Sequence, residues 1–513
     1  MSISKTNKLA VILGSIVVVI MIIAILFITP PSGDDDADGE TDETSTLEAS
    51  AFLGATDFDG FRTVAVDQNG YIYAMGVTYG TGDVTTTGAY DRTSNASSDS
   101  EDIIIAKFSP DLSNLLACTF FGGDGREMGQ SIAVGEDGTV YVAGRTTSSD
   151  LPTTEGSFLG DHTTGSIDDL FLSAFSNDLS SLVASTYVGT DATTPLCDLA
   201  IGNDGSVYLV GGVGGAVQNI PTTGFDIEFC AIGGEDDAVV LRFNDDLSEI
   251  VSATYLGGQD SDNARTVAIS QSGDVYVAGY TFIENEHSTD RFPTTAGAYD
   301  QMATGDGKGD GFVCQLSPDL SELKASTLIG NTEDDSLAAM TLDPDGNVLV
   351  SGYSHGNFPT TEGAHNTVGN GNDIVGIVVK LDAGLTDLIA STYFGNSGTY
   401  ALSLVCDPDG NVYISGTAGS IPTTDGGIMS SFGGYNSDLF LTKMSSDLQD
   451  VMLSTYIGGN GDEGEGRGLA LSTDGSVVMV GWTKSTNFLL IEGAENNITE
   501  DAADGFAVKI LIE

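Results

Sequence analysis

What most constrains the fold of this chain is a unit that recurs seven times. One landmark is an apolar-aromatic run ending in Gly: SAFLGA at 50–55, CTFFGG at 118–123, STYVGT at 185–190, ATYLGG at 253–258, STLIGN at 326–331, STYFGN at 391–396 and STYIGG at 454–459. A second is a Gly-headed strand whose first Gly falls at 70, 138, 205, 273, 346, 410 and 475, spaced by 68, 67, 68, 73, 64 and 65 residues. A third opens with Asp102, Asp169, Asp237, Asp310, Asp373, Asp438 and Asp504. Each copy holds four short stretches rich in Val, Ile, Tyr, Phe and Thr, divided by turn residues, which is the pattern of antiparallel strands. In the second copy they read SIAV (131–134), VYVAG (140–144), DLFLSAF (169–175) and SLVASTYVG (181–189). The first two are joined through a Gly suited to positive φ. The last two are joined by S-P-D-L or N-D-L, with Pro110 and Pro318 at the first central turn position.

A four-stranded antiparallel unit repeated seven times predicts an all-β, seven-bladed β-propeller. The ends agree. Residues 48–54 (EASAFLG) are a lone fourth strand and 504–513 (DGFAVKILIE) end on a third strand. The N-terminal strand is therefore expected to close the last blade, leaving no free edge. Length alone would suggest three or four domains, but a propeller grows by blades, so residues 47–513 are expected to form one ring.

Ahead of the ring, residues 9–28 (LAVILGSIVVVIMIIAILFI) are uncharged and mostly apolar. At ~1.5 Å per residue they span a ~30 Å hydrocarbon layer, so one N-terminal transmembrane helix is expected. Lys5 and Lys8 precede the run and the charges after it are acidic, from Asp34 onward. The positive-inside rule then leaves residues 1–8 in the cytoplasm and places everything beyond the membrane outside, as a single-pass signal anchor. A cleaved signal peptide is the rival reading, and the length of the apolar run weighs against it. Residues 29–46 read as an acidic extracellular linker that repels itself and extends. Asp34, Asp36, Asp38 and Gly39 resemble half a calcium loop, but Ser45 stands where its bidentate Glu should be.

Charge narrows the function further. With 17 Lys+Arg against 74 Asp+Glu the formal net charge is −57, which disfavours phosphate backbones as partners; no nucleic acid is expected. At 40% hydrophobic residues the chain can still bury a core. Cys118, Cys197, Cys230, Cys314 and Cys406 show no paired spacing, against both a disulfide scaffold and a zinc ribbon.

Connectivity puts the tight turns on one rim. The second-to-third connections, which carry a P-T-T element, go to the opposite rim with the fourth-to-next-first loops, where binding residues would sit. Counting back from the hairpin Gly, position −11 holds Asp59, Glu127, Asp262 and Asp335, and position −13 holds Asp57, Asp260, Glu333 and Asp462. Position −8 holds Arg62, Arg265 and Arg467. Hard oxygen ligands on such loops suit Ca²⁺, which makes Asp57, Asp59, Asp260, Asp262, Glu333, Asp335 and Asp462 candidate ligands. Alternatively the carboxylates cap turns and pair with the neighbouring Arg. Catalytic motifs are weaker. Gly352–Gly356 matches G-x-S-x-G without the following helix of a nucleophile elbow, and His355 and His365 are a conceivable metal pair. Trp482 is the only Trp, a poor platform for stacking sugars, although Tyr79, Phe158 and Tyr299 could contribute. Asn95 and Asn497 head N-x-S/T sequons, possible glycosylation sites in an outward-facing chain.

The STYLGG, DGNVYISG, FPTT-x-GAYD and DGFV-x-QL elements resemble the seven-bladed β-propeller (SBBP-type) repeat of bacterial and archaeal surface proteins. The resemblance covers 47–513, and the first and last copies depart from it with VTTTGAYD and FLLIEGAEN. It implies a fold and a cell-surface location, and no catalytic residue. The expected function is that of a membrane-anchored, non-catalytic scaffold binding an extracellular protein or glycan through its outward acidic loop face. The alternatives are a glycan hydrolase or lyase, and a structural component of the cell envelope.

Overall fold

Two kinds of tight turn set the strands of each copy side by side. The seven hairpin glycines from Gly70 to Gly475 all take positive φ, between 81° and 88°. The turns between third and fourth strands use a device the sequence reading lacked. Leu112, Leu179, Leu247, Leu320, Leu385 and Leu448 sit in the left-handed region at φ 54–60°. A β-carbon there costs about 1–2 kcal/mol, and each Leu offsets it by burying its side chain to 1% exposure or less.

The protein is seen as a computed structural model that describes residues 43–513 except 55–56, 83, 97–99, 163–167, 190–196, 215, 218–219, 222–223, 225–235, 259, 284–291, 303–307, 370, 372, 435 and 490–502. Seven four-stranded antiparallel sheets are present. Their first strands are Asp59–Val66, Glu127–Val134, Cys197–Ile201, Asp262–Ile269, Asp335–Leu342, Tyr400–Cys406 and Glu463–Leu471, heading blades 1 to 7. Each first strand contacts that of the next blade and the seventh contacts the first, so they line the axis of a closed ring. Blade 2 continues with Val140–Thr146, Asp169–Phe175 and Leu182–Tyr187, close to the strands read from sequence.

Closure occurs in blade 7, where Ser45–Leu53 pairs antiparallel with Asp504–Ile512 as the outermost strand. That strand starts two residues inside the predicted linker, and Thr44 also exchanges backbone hydrogen bonds with Glu513 (2.7 and 2.9 Å). Apolar side chains fill the gaps between sheets. Between blades 7 and 1, Ala51, Leu53, Val480 and Ala507 pack with Phe61, Ile72 and Ile104.

Polar fasteners cross six of the seven seams to the Leu turn of the next blade; blade 7, whose outermost strand comes from the N-terminus, has no such turn. Asn177 donates to the Tyr73 hydroxyl (2.9 Å), and the hydroxyls of Tyr141, Tyr208 and Tyr276 donate to the carbonyls of Asp245 (3.1 Å), Pro318 (2.7 Å) and Ala383 (2.9 Å). Lys107, Lys380 and Lys509 reach the carbonyls of Asn177, Ser446 and Pro110, the last from blade 7 to blade 1.

The long second-to-third connections depart from expectation. Where they are described, in blades 2, 4, 5 and 6, their P-T-T segments run along the outer flank of the blade instead of standing free on the rim. Thr154, Thr295, Thr361 and Thr424 donate backbone N–H to Ser185, Ser326, Ser391 and Ser454 of the outermost strands. Tyr90, Phe158, Tyr299 and His365 then donate to Leu179, Leu247, Leu385 and Leu448 of the following blade. The segment is a strap that covers an edge strand and buckles onto its neighbour.

No helix long and apolar enough to cross a membrane occurs among the described residues; the predicted anchor at 9–28 and most of the linker lie outside them. Deleting residues 43–54 should expose the edge of Asp504–Ile512 and convert a cooperative monomeric melt into self-association, read by calorimetry and gel filtration. Leu53→Ala alone should cost about 2–5 kcal/mol. A truncated ring that stays monomeric with an unchanged melt would refute the closure.

Candidate functional site

One register row runs through the blades near the loop rim. In blade 2, Glu127 faces Thr146 on the second strand, and Thr146 faces Asp169 on the third. The same row reads Asp59–Thr78–Asp102 in blade 1 and Asp262–Thr281–Asp310 in blade 4. The middle hydroxyl serves the acid: Thr146 Oγ1 donates to Glu127 Oε1 at 2.6 Å, and Thr483 Oγ1 to Glu463 Oε1 at 2.6 Å. The other carboxylate oxygen accepts a backbone N–H from the loop entering the blade. These are Gly123 to Glu127 (3.0 Å), Gly258 to Asp262 (2.7 Å), Asn331 to Asp335 (2.8 Å) and Gly459 to Glu463 (3.2 Å).

Ring geometry then brings two such rows together at four of the seams. The position a Cβ would take on Gly122 lies 2.6 Å from both Asp102 Oδ1 of blade 1 and Glu127 Oε2 of blade 2. Asp237 and Asp262 meet in the same way over Gly257, Asp310 and Asp335 over Gly330, and Asp438 and Glu463 over Gly458. These carboxyl groups are 2% exposed or less. The Gly that ends the fourth strand at these four seams is therefore needed because any side chain there would strike the paired acids. Burial raises Asp102, Glu127 and Asp438 above the ordinary carboxyl range and Asp262 well above it. The same cause brings Asp335 and Glu463 to about 7 and Asp504 to about 6. Hydroxyl and N–H donors pull the other way and do not compensate.

The position −13 residues do not join these pairs. Asp57 is exposed and Asp260 half-buried. Glu333 pairs with Lys308 at 3.3 Å, and Asp462 accepts from the backbone N–H and side-chain amide of Asn436, both at 2.8 Å. Among the described residues no three His, Cys, Asp or Glu side chains gather as a metal would require. The turn-capping alternative holds for position −11, but its partner is not Arg: Arg62 pairs with Glu465 at 3.3 Å. Where the acid is missing the seam changes as well. Thr399 takes position −11 in blade 6, and Asp373 stays exposed ahead of its strand.

Sequence reasoning missed the third-strand aspartates as site residues, although their recurrence at the mouth of a buried strand was the available signal. It also missed Glu463, which a bulge between Gly464 and Gly468 shifts to position −12. The catalytic motifs dissolve. Ser354 is fully buried within a strand, its hydroxyl serving Asp335. The His365 backbone N–H anchors a strap, and burial lowers its imidazole below its ordinary pKa. Phe158 stacks edge-on with Phe243 (5.9 Å) and Tyr79 with Phe58 (5.8 Å). Asn95 is exposed, with its backbone N–H on Asp102 Oδ2 at 2.6 Å; Asn497 and Cys230 lie outside the described residues. Cys118, Cys197 and Cys314 are buried thiols and Cys406 is partly buried.

The seven-bladed ring and its repeat chemistry agree with sequence comparison. A family model described as a beta-propeller repeat (SBBP) matches residues 326–359, from the end of one fourth strand through the next two strands to the start of the strap. The chain is thus a seven-bladed propeller that carries at least one SBBP-type repeat, at 326–359. No curated protein matches it significantly. Among solved structures, a protein of unknown function from Dyadobacter fermentans is similar over 92% of this chain and 100% of its own, at 11% identity and a TM-score of 0.41. A quinohemoprotein alcohol dehydrogenase from Pseudomonas putida is similar over 90% of this chain and 76% of its own, at 9% identity and a TM-score of 0.36.

The acid pairs set a pH dependence. Unfolded carboxyls titrate near 4, whereas folded Asp335 and Glu463 titrate about 7. Between these values the folded state binds more protons, so their contribution is fully present below about pH 4 and lost as pH rises through 7. Below about 4, groups held low such as Asp343 and Asp474, paired with Lys380 and Lys509, lose theirs. In EDTA the melting temperature should therefore peak near pH 4–5 and fall toward pH 8. Asp335→Asn should raise it at pH 8 and not at pH 5, with exposed Asp57→Asn as the control. A melt that is flat from pH 5 to 8 would show that the pairs do not govern stability.

Proposed function

We propose that the protein is a single-pass, membrane-anchored surface propeller whose outward loop face binds a cationic extracellular partner without catalysis. The observation that carries this reading is where the chain enters the ring. Ser45 pairs with Ile512 at the tight-turn end of the closing strand. A tether from residues 9–28 arriving there turns the opposite rim, with Asp57, Asp260, Glu333 and Asp462, toward the medium. The buried acids are committed to the seams and the long connections to the outer flanks, so the fourth-to-first loops and their position −13 carboxylates provide the contact surface. Full-length protein in detergent should bind members of protein and glycan arrays, favouring basic ones, and lose them as salt rises. Cleavage of an arrayed glycan would favour the hydrolase or lyase alternative; binding indifferent to salt would sink the acidic-face reading.

A second reading concerns calcium. Asp102 Oδ1, Asp262 Oδ1 and Asp335 Oδ1 are buried without a hydrogen-bond partner, which supports a cation, joined by loop carbonyls, as the alternative to a shared proton. Millimolar Ca²⁺ at pH 8 should then raise the melting temperature over EDTA, and Asp335→Asn should blunt the rise. An equal rise with Mg²⁺ or Na⁺, or none, removes the metal.

A further inference from the structure

Position −8 lies at a register break in the first strands, between Phe61 and Thr63 in blade 1, Ala264 and Thr266 in blade 4, and Gly464 and Gly468 in blade 7. A bulge re-aims its residue, and here it does so for Arg62, Arg265 and Arg467 on the strands that line the axis. Burial lowers the Arg467 guanidinium below its ordinary value. Glu465 opposes that shift, and the charges of both Arg265 and Arg62 add to it. Blades 4 and 7 are as far apart around the ring as two blades can be, so Arg265 and Arg467 can act on each other only across the axis.

Counter-charge is short. Glu465 lies 3.3 Å from Arg62 and 3.9 Å from Arg467, in a left-handed conformation (φ 76°) that an L side chain adopts at a cost. Arg265 instead donates to the Ser336 hydroxyl (2.8 Å) and stacks on Tyr280 (4.6 Å). Burial would push the Tyr353 phenol up, but Arg265 beside it outweighs burial and holds it below its ordinary value. These three guanidiniums and Glu465 sum to +2 in a chain of net −57; Asp198, a carboxylate on a neighbouring first strand, accepts from the Ser131 hydroxyl (2.7 Å) and the Val267 N–H (3.0 Å) instead. Three of the chain's eight arginines are spent in this cluster.

We propose that the axis of the ring is a binding site for a compact doubly charged oxyanion, phosphate- or sulfate-like, held by Arg62, Arg265 and Arg467 with Glu465 as internal counter-charge. Guanidinium forks match the oxygens of such an anion in pairs, and the Ser336 and Tyr353 hydroxyls supply further donors. Tyr353 and Tyr400, edge to face at 5.2 Å where blades 5 and 6 meet, border the guanidiniums on one side, which favours a compact anion. The site is independent of the membrane anchor and of any partner on the loop face.

Trp482 pairs across the strands with Gly464, beside Glu465, and is the chain's only Trp, so its fluorescence reports on the site. Full-length protein in detergent, at about 0.15 M NaCl where the Debye length is ~8 Å, would be titrated with inorganic phosphate and with sulfate by calorimetry and fluorescence. One saturable site per chain is expected. Arg467→Gln and Arg265→Gln should each weaken it about ten-fold, the loss of one charge-assisted contact, while keeping the phosphate-free melt. Glu465→Gln should tighten binding, which a merely structural role would not produce, and Arg242→Gln, removed from the axis, should change nothing. No saturable binding down to millimolar affinity, Glu465→Gln weakening as Arg467→Gln does, or an equal loss in Arg242→Gln would each overturn the site.

Discussion

Everything in this molecule depends on the pairing of Ser45–Leu53 with Asp504–Ile512. No blade can cover its own faces; each sheet is buried only by its two neighbours. Such an array is stable if it is capped or closed, and closure demands that the first and last segments of the chain share one sheet. The offset of one strand between repeat and blade achieves this, because unravelling blade 7 from either end then breaks a complete ladder. The seam between blades 7 and 1 uses the same apolar packing as the seams within the chain, and Lys509 crosses it to Pro110 as Lys107 crosses from blade 1 to blade 2. The seam that closes the ring is therefore built like those within the chain.

The turn between third and fourth strands carries more than its length suggests. Its left-handed Leu plugs the core, and its carbonyls receive a strap, a Tyr hydroxyl and a Lys from the preceding blade. Basic residues are few, yet several are placed on these buckles, where they join neighbours. Isolated surface ion pairs contribute little; partly buried ones that also satisfy backbone carbonyls fix the angle between sheets. The recurring Tyr, Lys and P-T-T residues are thus one fastening system read at three places in the repeat.

Architecture was legible in the sequence because period, turn glycines and strand composition all register in the chain itself. Seams were not. Asp102 and Glu127 are 25 residues apart in sequence and belong to different blades, so nothing local shows that they share a burial site; only the Gly between them, Gly122, hints at the crowding. Glu463 escaped because three residues at a bulge displaced it from the counted position. The straps are indistinguishable from free rim loops in sequence, since a polar, Gly-containing segment looks the same whether it lies in solvent or hydrogen-bonds along an edge strand. The arginines at position −8 were visible as a set, but their convergence needed the ring.

Closure also sorts the charge. A formal −57 treats all carboxylates alike, yet those at the seams are pressed toward their neutral form by burial and by each other, so part of the acidity is latent near neutral pH. The loop acids, such as Asp57, lie exposed to solvent instead. Around the axis, enclosed by seven first strands, guanidiniums from three blades act on one another, and Glu465 pairs with two of them. At low salt the outer charge would repel the anions that the axis favours; at physiological salt the ~8 Å screening length hides much of the rim from an ion at the centre. Rim and axis can therefore recognise ligands of opposite sign, a separation that follows from placing like residues at like positions around a closed ring.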